Sequence, residues 1–442
     1  MQDKVITAWR RIRTSYTFSL LRSYLGLQII SQINSLVSLF FVAKYLGPEN
    51  LGIISYAQYL AMLTVFVNSG IDTWSTYEFI RNNHDIELTS KIYNKSLRAK
   101  IFSAILGLSI IIPIAIIKSD NLFELQMYLV AIVMTTFSST FLSLLNSYAV
   151  PYRMLPSMNR SAIFVSILIL ISRVLAVFMG APAITFLFIL TMDTTLTLSI
   201  FLYRNFKTLS ENKIKLIPNY YRAKFTITNE FNNYIRIIWD AKYYLGIYIF
   251  SLLASRADLY TLKFYVDNHD LGIYSAAMRL AEYPGIISGI IGNVLLINLA
   301  LGVKSKIRYG SIILGYLSNI ILAILFIAIF AIFGKSIVNF IYGDRFIAVD
   351  KILLIYSFGI FGIFVNNFSS LIFMTHGKEK YLLYSSALGS IILIFLCHIL
   401  IPRYGLIGAA AASSFTYIVI SIFSVLAAFY TERAHKRGGG LL

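Results

Sequence analysis

The chain has 442 residues, of which 58% are hydrophobic and 13% are charged, and its mean hydropathy is +0.74. A soluble domain cannot bury so much apolar surface, so this composition excludes a soluble protein and predicts one that lies in a bilayer. The net charge of +18 does not indicate a nucleic-acid partner, because the basic residues stand in short runs between apolar stretches, as is typical of membrane orientation.

Twelve apolar stretches are each long enough to cross the hydrocarbon core, which takes about 20 helical residues. The predicted fold is therefore an all-α integral membrane protein with twelve transmembrane helices. In chain order these helices cover residues 20–43, 51–70, 97–117, 124–146, 161–180, 183–203, 243–264, 272–297, 309–333, 347–372, 381–401 and 405–429. We predict an N-terminal six-helix lobe over residues 1–210, a cytoplasmic linker over 211–238 and a C-terminal six-helix lobe over 239–442.

Lysine and arginine residues are distributed unevenly among the connections between these helices. Alternate connections and the helix ends beside them, counted from the N-terminus, contain 28 of the 38 basic residues. The other connections and helix ends contain seven, and three basic residues lie well inside helices. Connections rich in Lys and Arg are retained in the cytoplasm. The bias therefore predicts that both termini are cytoplasmic, and an even number of helices is consistent with this because it places the termini on the same side.

A segment near the N-terminus recurs in the second half of the chain. Residues 24–61 and 244–281 align without a gap and are identical at 15 of 38 positions, including the pair Gly52 and Gly272. We interpret these glycines as residues that open a helix after a tight turn, where an unhindered backbone helps. Because each half has six helices, the halves insert in the same orientation, as parallel repeats of the kind found in membrane transporters.

Three arginines lie at least seven residues from either end of a predicted helix. A rise of about 1.5 Å per residue places Arg173, Arg256 and Arg279 roughly 10–12 Å below the outer surface. Because a charge in hydrocarbon is costly, such residues are expected to face a cavity or a partner. Guanidinium binds phosphate through paired hydrogen bonds, so we predict an arginine ring that binds an anionic or pyrophosphate-bearing substrate. Structural ion pairs, such as Arg279 with Glu282 or Arg173 with Asp193, remain the alternative.

Three carboxylates also lie well inside predicted helices, away from the helix ends, namely Asp193, Asp258 and Glu282. Asp193 and Glu282 lie near the predicted bilayer centre. A desolvated carboxylate is readily protonated, so each of the three is a candidate for coupling transport to H⁺ or Na⁺. Salt bridges with the arginines are the alternative, and the sequence leaves both interpretations open.

The first helix carries polar residues at spacings of three and four, which place them on one face. We predict that this face lines the cavity and contributes to substrate binding, whereas hydrogen bonding to another helix is the alternative. The residues concerned are Gln28, Ser31, Gln32, Asn34, Ser35 and Ser38. The sequence contains no CxxC, HExxH, P-loop or GxSxG context. We therefore expect no catalytic residue, no cofactor, no bound metal and no ATP-driven step on this chain.

Four segments of the chain resemble polysaccharide flippases of the Wzx type. They are Tyr45–Gln58, Leu271–Glu282, Phe333–Phe346 and Ile401–Ala412. These flippases belong to the multidrug/oligosaccharidyl-lipid/polysaccharide (MOP) exporter superfamily, together with the multidrug and toxin extrusion (MATE) antiporters and the lipid II flippase. The resemblance covers essentially the whole chain, with two departures. Tyr77 precedes Glu78 where members often carry arginine, and the extra C-terminal helices of the lipid II flippase are missing.

The resemblance implies a MATE-like V-shaped bundle in which helices 1, 2, 7 and 8 line a central cavity that contains Arg256 and Arg279. It further implies a bacterial inner-membrane protein of O-antigen and lipopolysaccharide biosynthesis. Such a protein moves an undecaprenyl-pyrophosphate-linked oligosaccharide from the cytoplasmic to the periplasmic leaflet by alternating access. A polymerase and a chain-length regulator of the same pathway are the implied protein partners.

Two other functions are weighed against the flippase. A MATE-like cation-coupled antiporter for drugs or metabolites shares the fold, but its site is expected to be acidic and aromatic rather than rich in arginine. A membrane polymerase or ligase would need catalytic groups on a large outer loop, and no outer connection exceeds about a dozen residues. The flippase is favoured, and no enzymatic activity is expected.

Overall fold

The computed structural model describes residues 16–82, 84–211, 227–285, 287–289, 305–346 and 348–437. These residues form helices joined by short turns, and no strand occurs among them, so the predicted all-α class is confirmed. They include a π-helical turn, Ser38–Ala43, and a 3₁₀ turn, Asp344–Phe346. The α-helices are α1 (Tyr16–Val37), α2 (Lys44–Arg81), α3 (Ile86–Lys118), α4 (Leu122–Ala149), α5 (Leu155–Phe178), α6 (Ala183–Glu211), α7 (Ile227–Asp240), α8 (Lys242–Leu262), α9 (Asn268–Glu282), α10 (Ser305–Tyr342), α11 (Val349–Thr375) and α12 (Lys380–Arg437).

Polar residues fix the start of three of these helices. The Asp85 carboxylate accepts hydrogen bonds from the backbone amides of Glu87 and Leu88 and so caps α3. Asn121 caps α4 and Asp267 caps α9 in the same way. Such caps satisfy amides that lack a partner within the helix, and each stabilises a helix by about 1 kcal/mol.

Seven described helices are long and apolar enough to cross a membrane, namely α3, α4, α5, α6, α10, α11 and α12. Two bent pairs, one within residues 40–81 and the other formed by α7 and α8, raise the number to nine if each pair is one span. Large apolar side chains such as Ile117, Phe178 and Ile332 are more than 70% exposed, as expected of surfaces covered by lipid. The membrane class is confirmed, and the count of twelve stays a prediction, since the predicted helix 272–297 extends beyond the described residues.

α12 contains two antiparallel segments. Its 58 residues would make a straight helix of about 87 Å, nearly three times the hydrocarbon thickness. Gly405, with φ 54° and ψ −128°, interrupts the helix. A Cβ placed on Gly408 would lie 2.3 Å from the carbonyl oxygen of Leu400, and one on Gly389 would lie 2.1 Å from Ile420 Cδ1. The chain therefore reverses at Gly405, where the sequence places the turn between its last two predicted helices.

The chain forms two compact units. One comprises Met1–Tyr45 and Ala57–Leu245, and the other comprises Leu46–Tyr56 and Gly246–Leu442. The short segment Leu46–Tyr56 thus packs with the second unit although it belongs to the first sequence repeat. Part of the predicted linker is helical, since α6 extends to Glu211 and α7 covers Ile227–Asp240, while residues 212–226 lie outside the described ranges. The domain boundaries at 210 and 239 stay a prediction.

The repeat-related glycines Gly52 and Gly272 pack against each other within the second unit. A Cβ on Gly272 would lie 1.8 Å from the carbonyl oxygen of Pro48 and 3.0 Å from the amide nitrogen of Gly52. A Cβ on Gly52 would lie 2.0 Å from the carbonyl oxygen of Asn268. These glycines therefore allow the N-terminal part of α2 to cross α9 at backbone contact. The turn-opening role expected from the sequence does not account for this close approach.

Candidate functional site

Arg256 and Glu282 form a bidentate ion pair in the second unit. Arg256, on α8, donates from Nη1 to Oε1 of Glu282 at 2.6 Å and from Nη2 to Oε2 at 2.9 Å. Tyr356 on α11 donates its hydroxyl to the same Oε1 at 3.1 Å. The two charged side chains remain 19% and 26% exposed. The pair therefore occupies an accessible surface of the unit and fixes the guanidinium plane of Arg256.

Arg279 extends from α9 close to this pair. Its Nη2 donates to the hydroxyl of Ser55 at 3.0 Å, and Ser55 lies in the segment Leu46–Tyr56. Residues 271–278 of α9 are all buried, whereas Arg279 and Glu282 are only half-buried. Arg256 Nη1 also contacts the sulfur of Met278 at 3.4 Å. The structure thus brings both arginines to the last turns of α9.

Asp258 is fully buried and is held by three neutral donors. Its Oδ1 accepts the backbone amide of Leu259 at 2.8 Å. Its Oδ2 accepts the Tyr274 hydroxyl at 2.5 Å and the Ser413 hydroxyl at 2.6 Å. These donors come from α8, α9 and α12, so the carboxylate joins three helices of the second unit. Hydrogen bonds of this kind stabilise a carboxylate without a directly bound cation.

In the first unit, Arg173 donates from Nη1 to Oδ1 of Asn34 at 2.9 Å, which joins α5 to α1. Both side chains are buried, with relative exposures of 8% and 6%. Asp193 is half-buried on α6 and lies within electrostatic reach of Arg173. Gln28 and Gln32 are half-buried on α1. These five residues belong to a different unit from Arg256 and Arg279, and the ring of three arginines stays a prediction.

The first unit also contains a buried ion pair that the sequence does not predict as a site. Lys100 has no exposed side-chain surface, and its ammonium contacts a carboxylate oxygen of Asp72 as well as the Ser143 hydroxyl, the latter at 2.5 Å. Ser147 donates to the backbone carbonyl of Asp72 at 3.1 Å. From the sequence, Lys100 is grouped with the basic residues of a cytoplasmic connection, because other basic residues of α3 stand just before it. Asp72 lies two residues beyond the end of the predicted helix 51–70. An acidic residue so close to an apolar helix is the sequence signal that could have indicated a buried partner for Lys100.

Comparison with known proteins places this chain in a family. The profile of the family described as polysaccharide biosynthesis protein matches residues 22–296, which is more than half of the chain. No curated protein sequence matches the chain. Solved structures are similar to it over nearly its whole length, although sequence identity is low.

Three of these structures define the fold. The lipid II flippase MurJ in an inward closed conformation has a TM-score of 0.67 at 15% identity, covering 92% of this chain and 87% of its own. An inward-facing multidrug resistance MATE family transporter has a TM-score of 0.67 at 12% identity, covering 94% of this chain and 96% of its own.

The third is a MOP superfamily transporter from Pyrococcus furiosus, described as having a binding pocket of reverse polarity. It has a TM-score of 0.52 at 12% identity and covers 96% of this chain and 98% of its own. At such identities the likeness shows the fold alone. The chain belongs to the polysaccharide biosynthesis protein family, and its fold is that of a MOP-superfamily membrane transporter.

Proposed function

We propose that this protein is a flippase that translocates an undecaprenyl-pyrophosphate-linked oligosaccharide, an O-antigen or related repeat unit, from the cytoplasmic to the periplasmic leaflet. It acts by alternating access in the bacterial inner membrane, with both termini in the cytoplasm and no enzymatic step of its own. Family membership supports a polysaccharide precursor as the substrate class, and the MurJ-like fold supports a lipid-linked one. A polymerase and a chain-length regulator of lipopolysaccharide biosynthesis are the proposed partners.

The placement of two arginines, Arg279 on the last turns of α9 and Arg256 on α8 beside them, carries this proposal. A diphosphate carries several charged oxygens, and guanidinium groups bind such oxygens with charge-assisted hydrogen bonds. Arg256 is oriented by Glu282, while Arg279 donates to the neutral hydroxyl of Ser55. We assign Arg256, Arg279 and Arg173 to the diphosphate, and Gln28, Gln32 and Asn34 to the sugar hydroxyls. Polar amides suit sugars because they both donate and accept hydrogen bonds.

Substitution of Arg279 tests the assignment. We expect Arg279→Gln to lower the export of surface polysaccharide at least tenfold, because a hydrogen bond to a charged group contributes about 1.5–3 kcal/mol. Arg279→Lys should retain part of the activity, since the charge remains but paired donation is lost. The measurement is surface polysaccharide in a strain that lacks its own flippase, at matched protein level.

Ser55→Ala is the matched control for Arg279. It removes one hydrogen-bond partner of Arg279 but leaves the guanidinium in place. Export close to that of the unmodified protein is expected. Normal export by Arg279→Gln, or equal losses in Arg279→Gln and Ser55→Ala, would show that Arg279 serves packing and not substrate.

Of the three candidate coupling residues, Asp258 is the one we propose for H⁺ or Na⁺. Its oxygens contact hydroxyl and amide donors, whereas both carboxylate oxygens of Glu282 are bound by Arg256. Asp258 and Asp193 each lie within electrostatic reach of an arginine, Arg256 and Arg173 respectively. Hydroxyl oxygens beside a carboxylate are also hard ligands of the kind that small cations prefer. Glu282 and Asp193 remain the alternatives.

Asp258→Asn tests the coupling role. We expect the part of transport that depends on an imposed Na⁺ or H⁺ gradient to fall to background in proteoliposomes, because the amide neither takes up a proton nor carries charge. Ser413→Ala, which removes one neutral donor, should keep the ion dependence at reduced affinity. If Asp258→Asn keeps the gradient dependence of the unmodified protein, coupling resides on another acid.

The flippase, the antiporter and the polymerase or ligase can be distinguished by the substrate each acts on and by its product. A MATE-like antiporter would raise drug resistance when expressed, and its export would not depend on Arg279. A polymerase or ligase would convert lipid-linked sugar to polymer as a purified protein. The flippase instead delivers unchanged lipid-linked oligosaccharide to the far leaflet.

A further inference from the structure

A pocket lined by basic and amide side chains lies in the first unit, and its lining residues differ from those assigned above. Its volume is about 320 Å³, and it is lined by Lys91, Asn94, Lys95, Arg98 and Asn233. Lys91, Lys95 and Arg98 are four and three residues apart, so they lie on one face of α3. Asn233 comes from α7. We call this site the basic pocket.

α7 is held firmly against the helices that carry the basic residues. Ile237 is fully buried in a cluster with Ile71 and Ala99. The ring of Phe102 on α3 contacts those of Phe231 and Tyr234, with centroid distances of 6.0 and 4.9 Å. Asn233 is therefore positioned by packing on both sides, and the basic pocket is built from two fixed elements.

The outward surface of α7 is suited to the membrane interface. Ile235 and Trp239 are 48% and 67% exposed, and the Lys242 ammonium lies 4.2 Å from the Trp239 ring centroid. A short helix that exposes aromatic and apolar residues beside cations typically lies at the level of the lipid headgroups. The basic pocket, which α7 borders, is then at the depth of lipid phosphate.

The charges and hydrogen-bonding groups of the pocket fit a phosphate-bearing headgroup. Glu87 contacts Lys91 at 3.2 Å, but both side chains are about 70% exposed, so this pair neutralises the pocket only weakly. Lys95 lies over the ring of Trp74 at 5.5 Å. Within the described residues, the Oδ1 atom of Asn94 is buried without a hydrogen-bond partner. A headgroup hydroxyl beside the phosphate would satisfy it.

We propose that the basic pocket binds the phosphate-bearing headgroup of a membrane lipid. Lys95 and Arg98 contact the phosphate, and Asn94 and Asn233 contact the polar group attached to it. The lipid is either an anionic phospholipid of the bilayer or an isoprenyl diphosphate, and both share this chemistry. Only the second case rests on the flippase function proposed above.

The test measures lipid binding to the purified full chain by native mass spectrometry. Palmitoyl-oleoyl-phosphatidylglycerol, farnesyl diphosphate, zwitterionic phosphatidylcholine and inorganic pyrophosphate are titrated separately. We expect Lys95→Gln/Arg98→Gln to bind at least one of the first two lipids at least tenfold more weakly than the unmodified protein. Arg81→Gln/Arg204→Gln removes two exposed basic residues that do not line the pocket, and it should bind as the unmodified protein does.

Each outcome decides the proposal. If Lys95→Gln/Arg98→Gln loses binding of phosphatidylglycerol alone, the ligand is a bilayer phospholipid. If it loses binding of farnesyl diphosphate alone, the ligand is an isoprenyl diphosphate. Both results support the site. Unchanged binding in Lys95→Gln/Arg98→Gln, equal losses in the control, or binding of pyrophosphate without either lipid overturns it. If that variant does not fold, Asn233→Leu, which fills the pocket from α7, is judged by the same criteria. Binding is measured without transport, so failure here leaves the flippase proposal standing.

Discussion

Gly272→Ala is expected to abolish accumulation of folded protein. Its Cβ would lie 1.8 Å from the Pro48 carbonyl oxygen, and real Cβ contacts are essentially never shorter than 3.0 Å. The obstacle is backbone, so relief requires the two helices to separate by about 1 Å along a packed surface. The cost should exceed the usual overpacking range of about 1–3 kcal/mol. The measurement is the monodisperse fraction after extraction from the membrane, together with its Tm.

Gly52→Ala should behave like Gly272→Ala, because it meets the Asn268 carbonyl oxygen at 2.0 Å. Gly310→Ala is the matched control, since nothing lies within 4 Å of a Cβ at that helical position and alanine favours a helix by about 1 kcal/mol over glycine. A Gly272→Ala protein with an unchanged Tm would show that α2 and α9 separate at little cost. Close helix approach would then not explain why glycine occupies positions 52 and 272.

Arg256→Ala is expected to lower both stability and export. Removing one partner of a buried, hydrogen-bonded charge pair costs about 2–5 kcal/mol, which corresponds to at least thirtyfold. The partial exposure of the pair places the stability loss near the lower limit. Export should fall further than in Arg279→Gln, because the uncompensated Glu282 carboxylate repels an anionic substrate. Tm and surface polysaccharide are the two measurements.

The double variant Arg256→Gln/Glu282→Gln separates structure from function. It replaces the ion pair with two amides, so most of the lost stability should return while export stays low. A double variant that regains export as well as stability would mean that the pair is purely structural, and Arg256 would then have no part in binding diphosphate. Glu282→Gln alone should also be destabilised, since Arg256 loses its charged partner.

Most helices of the membrane fold could be predicted from the sequence. Helices α3 to α6 and α10 to α12 come from long apolar runs, and the turn at Gly405 follows from the Pro-Arg-Tyr-Gly sequence that stops one helix before the next begins. The least accurate prediction concerns the ends of helices. α3 begins at Ile86 instead of residue 97. The helix has a polar first part outside the hydrocarbon, and the length of the apolar run predicts only the part within it.

The candidate site could be predicted only in part. Arg256, Arg279 and Glu282 could be predicted as site residues because charged side chains are rare inside transmembrane helices. The pairing of Arg256 with Glu282 could not be read from spacing, since it joins residues 26 positions apart on different helices. Lys100 and Asp72 were missed for a related reason: near the end of a span, a buried cation has the same sequence pattern as a loop cation.

The sequence by itself determined the class, the repeat and the family, because apolar run length, charge bias and internal identity are properties of the linear chain. Only the tertiary structure decided which charges meet, and that Gly52 and Gly272 touch at a helix crossing. A helical period shows which face a residue occupies. The partner of that face depends on helices distant in the chain, whose packing is set by backbone approach and side-chain volume.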